Sequence, residues 1–239
     1  FYGFLSGSDN LPQTFGGEPV NTRLQKARHL IIGFEYDLPR HFDLNIEAYI
    51  KDYIQLSNLN RDKIYDDNGS NWQKPDYLKK DFIIETGQAK GLDVRLRYDY
   101  KRLYLWAVYS LGFVTRFDGI REYMPHFDRR HNINLVGSYI FGKDFLWEAD
   151  MRWNLGSGFP FTQTAGFYEY IDFAGGINTN YATENGQLGT LYGEINKGYL
   201  PYYHRLDATL KRKFELSRHS TMEANISIVN IYNRKNIFY

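Results

Sequence analysis

Asp128, Arg129, Arg130 and His131 set a carboxylate and an imidazole three positions apart, a combination that general acid–base chemistry could use. The local pattern argues against that use. These residues open an alternating strand, and neighbouring strand residues point to opposite faces, so Asp128 and His131 need not meet. Nothing else completes a site. The chain has no cysteine, which excludes disulfides, cysteine-ligated metals and thiol nucleophiles. Its six histidines are scattered, and none forms a His-Glu-x-x-His pair. No nucleophile elbow or phosphate-binding loop is present, and Gly175-Gly176 lies in a loop, where it signals only a turn. We expect a structural role for Asp128–His131 at a strand mouth, no catalytic residue, no metal, no cofactor and no enzyme.

Two other groups of residues could act on a solute. Asp93, Arg95, Arg97 and Asp99 alternate along one segment, and Glu148, Asp150 and Arg152 along another. Alternation puts each set on one face of a strand. Such a face can serve as an ion-pair and hydrogen-bond network, as a path for a polar solute, or as a docking surface. Between Ser157 and His204, Phe159, Phe161, Tyr168, Tyr170, Tyr181 and Tyr192 stand among hydrogen-bonding residues, with Phe167 and Phe173. Aromatic faces with adaptable polar neighbours suit sugars, aromatic chelators and protein partners alike. Packing of the loop on its neighbours is the alternative.

The elements that position these residues are strands. The 239 residues carry 29 Lys and Arg against 28 Asp and Glu, so charge gives no reason to expect nucleic acid. Aromatic residues are 18% of the chain and tyrosine alone supplies 21, a composition suited to boundaries that are dry on one side and wet on the other. Mean hydropathy is nonetheless negative, and no run approaches the roughly 18 apolar residues of a spanning helix. Phe1-Tyr2-Gly3-Phe4 shows no signal-peptide pattern, so we expect an internal or processed piece. A membrane barrel can look this polar, because only every second residue faces lipid.

Four hairpins carry period-two alternation. The first turns at Pro39-Arg40-His41 and pairs Leu38 with Phe42, Tyr36 with Leu44, Phe34 with Ile46, Ile32 with Ala48 and Leu30 with Ile50. Its other face holds Glu35, Asp37, Asp43, Asn45 and Glu47. The second turns at Lys101-Arg102 and pairs Tyr100 with Leu103, Tyr98 with Leu105, Leu96 with Ala107, Val94 with Tyr109 and Leu92 with Leu111. Lys-Arg is not a favoured two-residue turn, which leaves room for a longer one. The third turns at Gly142-Lys143-Asp144, pairing Phe141 with Phe145, Tyr139 with Trp147, Gly137 with Ala149, Leu135 with Met151 and Ile133 with Trp153; Ser138 then opposes Glu148, and Asn134 opposes Arg152. The fourth turns near Ser217-Arg218-His219 and pairs Phe214 with Met222, Leu210 with Ile226 and Ala208 with Ile228. Arg212 is the one charge on its apolar side, near the turn, where it can snorkel. A one-residue slip would move each apolar set to the other face, so agreement on both strands fixes which residues face together. Phe34, Leu96, Tyr139, Trp147, Trp153 and Ile226 are expected to face lipid. The polar sets Asp93, Arg95, Arg97, Asp99, Glu148, Asp150 and Arg152 are expected to face the lumen.

The alternating runs reach roughly ten residues, longer than the soluble average and enough to cross a bilayer at a tilt. Short turns alternate with long connections at about 57–86, 115–130 and 157–204. In an outer-membrane barrel the short turns are periplasmic and the long loops extracellular.

Four segments, in order, resemble elements of TonB-dependent outer-membrane receptors. Phe127-Asp128-Arg129-Arg130-His131-Asn132 resembles a D-x-R-H strand opening in that family, and Leu155-Gly156-Ser157-Gly158-Phe159-Pro160-Phe161-Thr162 its G-S-G-x-P strand exit. Leu200-Pro201-Tyr202-Tyr203-His204-Arg205-Leu206-Asp207 is similar to L-P-x-Y-x-R-L-D, and Val229-Asn230-Ile231-Tyr232-Asn233-Arg234-Lys235-Asn236 to N-x-Y-N-R-x-N before a final strand. The likeness extends from about Leu30 onward and is closest to receptors of Gram-negative Bacteroidota. It implies an all-β, antiparallel transmembrane β-barrel of which residues 1–239 form about eight strands. The intact barrel would have about 22 strands around a plug domain. The plug and the last strand, after Tyr239, would lie outside this chain. The implied location is the bacterial outer membrane. The implied partners are the lipid bilayer, the protein's own plug, periplasmic TonB, and a surface lipoprotein or other outer-membrane subunits. The implied activity is uptake of a large scarce nutrient such as a ferric chelate or an oligosaccharide. The alternative is a receptor-like barrel serving as a structural or assembly component of a larger outer-membrane complex.

Overall fold

The computed structural model describes residues 25–66, 69–170, 187–217 and 219–237, together with the short strand pair Thr14–Phe15 and Glu18–Pro19. Eight long strands form one antiparallel sheet: β1 Lys26–Leu38, β2 Phe42–Leu59, β3 Phe82–Tyr100, β4 Leu103–Phe117, β5 His131–Phe141, β6 Trp147–Gly156, β7 Tyr203–Ser217 and β8 Ser220–Ile228. Each pairs with its sequence neighbours, in the order β8-β7-β6-β5-β4-β3-β2-β1, and a two-residue strand at Glu122–Tyr123 adds to β4. Among the described residues β1 and β8 do not pair, so the sheet is open.

The sheet is a single layer. Among the described residues, the buried hydrophobic side chains are Leu56, Ala89 and Tyr123. One face instead presents exposed apolar side chains from strand after strand, among them Ile32, Phe34, Leu96, Leu105, Leu135, Met151, Leu210 and Ile226. Such a continuous apolar surface far exceeds the patches that monomeric soluble proteins leave in water.

Registers follow the alternation in three hairpins. β1–β2 pairs Phe34 with Ile46, β3–β4 pairs Leu96 with Ala107, and β7–β8 pairs Leu210 with Ile226. The Lys101-Arg102 turn is a two-residue turn, since Tyr100 pairs with Leu103. Lys101 sits at φ 54°, a left-handed conformation that costs a non-glycine residue roughly 1–2 kcal/mol. Aromatic contacts hold it there: the His41 ring stacks on Tyr100 at 4.2 Å, and Lys101 Nζ lies 4.8 Å from the centre of the same ring.

The third hairpin corrects the expected register by two residues. Phe141 pairs with Trp147, Gly137 with Met151, Ser138 with Asp150 and Asn134 with Asn154. Phe145 leaves the ladder at φ 56°, and its ring receives Arg102 of the neighbouring hairpin, with Cζ 3.9 Å from the ring centre. Phe141 stacks on Trp147 instead. A slip of two preserves both faces, so the assignment of apolar and polar sides is unchanged.

Strands also run further than the alternation indicated. β2 reaches Leu59 and β3 begins at Phe82, so the first long connection is 60–81 rather than 57–86. The second is 118–130. Within 157–204 lie two further ladders: Pro160–Phe161 with Gly198–Tyr199, and Thr164–Tyr170 with Gln187–Tyr192. β2 and β3 hold 18 and 19 residues, well beyond the nine to eleven or so that cross a bilayer.

Tyr49 shows how the polar face is packed. Gly91 pairs with both Tyr49 and Gly112, and a Cβ on Gly91 would stand 2.5 Å from the Tyr49 hydroxyl oxygen and 2.6 Å from the Leu111 carbonyl oxygen. The missing side chains leave a seat for the phenol, a device that strengthens glycine positions in strands.

Candidate functional site

The polar face carries a ladder of charges. Lys211 on β7 lies 2.8 Å from Asp150 and 3.4 Å from Glu148, both on β6, and Ser138 on β5 donates to Glu148 at 3.0 Å. Asn154 donates to Asn134. On the other half of the sheet Arg95 bridges Glu35 at 3.1 Å and Asp43 at 3.2 Å across three strands. Asp93 stands between Glu47 and Ser110, Arg97 between Asp43 and Trp106, and Asp99 opposite Tyr104. Arg152, opposite Val136 and Asp207, is exposed on the same face. Of the residues assigned to the apolar face, Phe34, Leu96, Tyr139 and Ile226 are exposed there, and Trp147 and Trp153 are half-buried.

The long-loop rim is where the four segments singled out in the sequence meet, in two pairs. In the first, the Ser157 Oγ accepts from His131 N at 3.0 Å, and Ser157 N donates to His131 O at 2.8 Å. Asp128, fully buried, accepts from Val114 N at 2.8 Å and faces Arg130 at 3.1 Å. Burial pushes its carboxyl up, against the opposing pull of the Val114 amide and Arg130. Asp128 and His131 do not touch: the imidazole Nδ1 instead meets Tyr109 Oη at 2.9 Å. Arg129 lies over the Phe159 ring at 4.1 Å, and burial pushes its guanidinium down. A Cβ on Gly158 would fall on the Leu200 carbonyl oxygen, so only glycine fits there.

In the second pair, Asn230 N donates to Asp207 Oδ1 at 2.8 Å, Ile231 N to Leu206 O at 2.8 Å, and Arg234 Nη2 to Tyr202 O at 3.0 Å. Asn236 both accepts from His204 N and donates to His204 O. Its amide thus satisfies backbone groups of β7 as a neighbouring strand would. Asn230 and Asn233 adopt φ 56° and 51°, left-handed conformations that asparagine tolerates better than most residues.

One buried cluster was not visible in the sequence. Glu85, 1% exposed, accepts from Tyr123 Oη at 2.8 and 2.9 Å and from Asn58 Nδ2 at 2.9 Å. Arg116 approaches the same carboxylate at 3.5 Å, and Arg61 lies over the Tyr123 ring at 4.4 Å. Burial and the bond to Glu85 push the Tyr123 phenol up. The only sequence signal was an acid just inside the expected loop 57–86, on the same parity as Asp93.

The loop aromatics do not gather in one place. Phe159 and Phe161 are half-buried at the rim, whereas Tyr168 and Tyr192 are exposed on the ladder of Thr164–Tyr170 with Gln187–Tyr192. Tyr170 belongs to that ladder by its backbone. Tyr181 lies outside the described residues, as do Phe173 and Gly175-Gly176. Among the described residues no three His, Asp or Glu side chains group as metal ligands.

No family model and no curated protein matches the chain. Solved structures do. The structure of the FpvAI–pyocin S2 complex matches with a TM-score of 0.56 at 9% identity, over 89% of this chain and 23% of that one. The ferripyoverdine receptor of the outer membrane of Pseudomonas aeruginosa, bound to ferripyoverdine, matches with a TM-score of 0.53 at 9% identity, over 88% of this chain and 24% of that one. The chain thus spans about a quarter of the length of these structures. At that identity the likeness is one of fold: an all-β antiparallel sheet with the architecture of part of an outer-membrane receptor.

Proposed function

We propose that this sheet is a portion of the wall of a TonB-dependent receptor in the bacterial outer membrane, without a catalytic step of its own. The observation that carries the reading is the single-layer sheet whose one face is apolar and exposed across eight strands while the other is ion-paired. A lipid bilayer covers such a face, and the polar side then lines the lumen. Among the described residues both sheet edges are open, which in lipid requires further strands to satisfy them. The intact barrel is accordingly larger than these eight strands. Rim segments that resemble elements of that family, and the fold likeness to a ferripyoverdine receptor, support uptake of a large scarce nutrient such as a ferric chelate or an oligosaccharide.

On this reading the long connections 60–81, 118–130 and 157–202 face the outside, with Tyr168 and Tyr192 on the ladder of Thr164–Tyr170 with Gln187–Tyr192. Uptake would be driven from the periplasm by TonB acting on a plug. The test is growth of the source bacterium, with and without the intact gene, on a panel of ferric chelates as iron source and oligosaccharides as carbon source. Loss of growth on one member, reproduced by removing TonB, is the expected result. Unchanged growth on all of them, with the protein copurifying in fixed stoichiometry with other outer-membrane proteins, would replace transport by a scaffold role.

A further inference from the structure

The short-turn rim carries a belt of cations that the alternation alone does not reveal. The tips of the first three hairpins touch one another through rings. His41 of the first stacks on Tyr100 of the second; Arg102 of the second lies over Phe145 of the third, 3.9 Å from its centre. Arg212, on β7, lies 4.8 Å from the Trp147 ring on β6 and 4.6 Å from Phe214. Lys101 adds a cation over Tyr100. Arg40 and Lys143 are exposed at neighbouring tips.

The carboxylates near these turns are disposed differently. Asp37, Asp43, Asp99, Glu148 and Glu215 all fall on the polar face by strand parity, leaving Asp144 at a tip. Among the described residues, no carboxylate forms an ion pair with Lys101, Arg102 or Arg212, whereas Lys211, one position away on the other face, pairs with two. A guanidinium held flat on an aromatic ring keeps its N–H edge turned outward, and that edge matches two oxygens of a phosphate.

We propose that the outward side of the short-turn rim is a docking belt for anionic phospholipid headgroups of the adjoining leaflet. The proposal rests on the reading of the apolar face as lipid-facing. It goes beyond that reading by assigning lipid selectivity to Lys101, Arg102 and Arg212. Charge complementarity, and the level of Lys101 and Arg102 at the turn where the apolar rows of β3 and β4 end, identify the occupant. The acyl chains would lie along Leu103, Leu105 and Tyr139 of the apolar face while the phosphate meets the cations.

The test reconstitutes the full-length protein in vesicles containing photoactivatable phosphatidylglycerol or photoactivatable phosphatidylcholine at equal mole fraction, and maps cross-linked peptides. Peptides carrying residues 100–105, 143–149 and 212–214 should be labelled by phosphatidylglycerol in excess, on the order of fivefold. The excess should fall with added salt and collapse in K101Q/R102Q/R212Q. R102Q alone, a milder change, should lower it on peptide 143–149. Equal labelling by the two lipids at the belt would overturn the proposal and leave the membrane reading intact. Absence of labelling by either lipid along the apolar face would overturn the membrane reading itself.

Discussion

Glu85 illustrates how much of the rim rests on single side chains. Its carboxylate is sealed from water and satisfied by the Tyr123 phenol, the Asn58 amide and, more distantly, Arg116. Removing one donor leaves a buried charge short of partners, which costs about 1–3 kcal/mol. Tyr123→Phe should therefore destabilise the rim by that amount, read as faster hydrogen exchange in 118–123 and around Glu85. Asp118 sets a pH dependence in the same loop. Burial pushes its carboxyl up, but the Arg121 and Ile120 amides and the Arg121 guanidinium outweigh this and hold it below its ordinary value. A depressed folded value means its contribution is complete above the unfolded value of about 3.9 and is lost as pH falls through the folded one. Arg121 also bridges to Asp62 in the first long loop. Acidification below about pH 4 should thus release the 118–121 turn, and Asp118→Asn should remove that dependence, as followed by limited proteolysis with an acid-active protease.

At the level of elements, the junction between β6 and β7 is governed by a backbone contact. Gly158 lies against the Leu200 carbonyl, and Leu200 N donates to Phe159 O at 2.9 Å. Gly158→Ala must push the two segments apart, so we expect a loss of more than about 1 kcal/mol in stability, in the range of overpacking, with the change in exchange confined to 156–162 and 198–204. The strands themselves make a sharper comparison. Leu96→Arg places a charge on the apolar face and should cost about 2–4 kcal/mol in a bilayer, whereas Arg97→Leu, one residue along on the polar face, should cost less. Equal tolerance in a denaturation series would mean that the face assignment is wrong. These faces were legible because each hairpin checks itself: Phe34 and Ile46 had to be apolar together, as did Leu96 and Ala107. The third hairpin's register was not legible for the same reason. A two-residue shift keeps Phe141, Trp147 and Met151 on one side, and only the departure of Phe145 from the ladder to meet Arg102 decides between the alternatives. The pairing of Asp207 with Asn230, or Ser157 with His131, depends on loops whose course no local periodicity encodes. The segments could be singled out, but not their partners. Tyr123 gave no signal at all, being one tyrosine among 21.

For the whole molecule, the separation of short turns from long connections makes a claim about sides. A small epitope inserted within 60–81, at the tip between β2 and β3, should be detected by antibody on intact cells. The same epitope at Lys143-Asp144 should be detected only after the outer membrane is permeabilised. Detection of both, or neither, on intact cells would break the assignment of sides. The fold likeness extends over nearly nine-tenths of the chain but under a quarter of the receptors' length.

The meander of β1 through β8, each inner strand bound to its two neighbours in sequence, also imposes an arithmetic on change. Strands can be gained or lost only in twos. Excising β5 and β6 together, with their turn, would leave every remaining loop on its own side and every remaining side chain on its own face. Excising β5 alone would send all later turns to the opposite side of the sheet, placing the turn between β7 and β8 where the long connections now stand. The hairpin, not the strand, is thus the smallest piece by which such a wall can be lengthened, shortened or recombined.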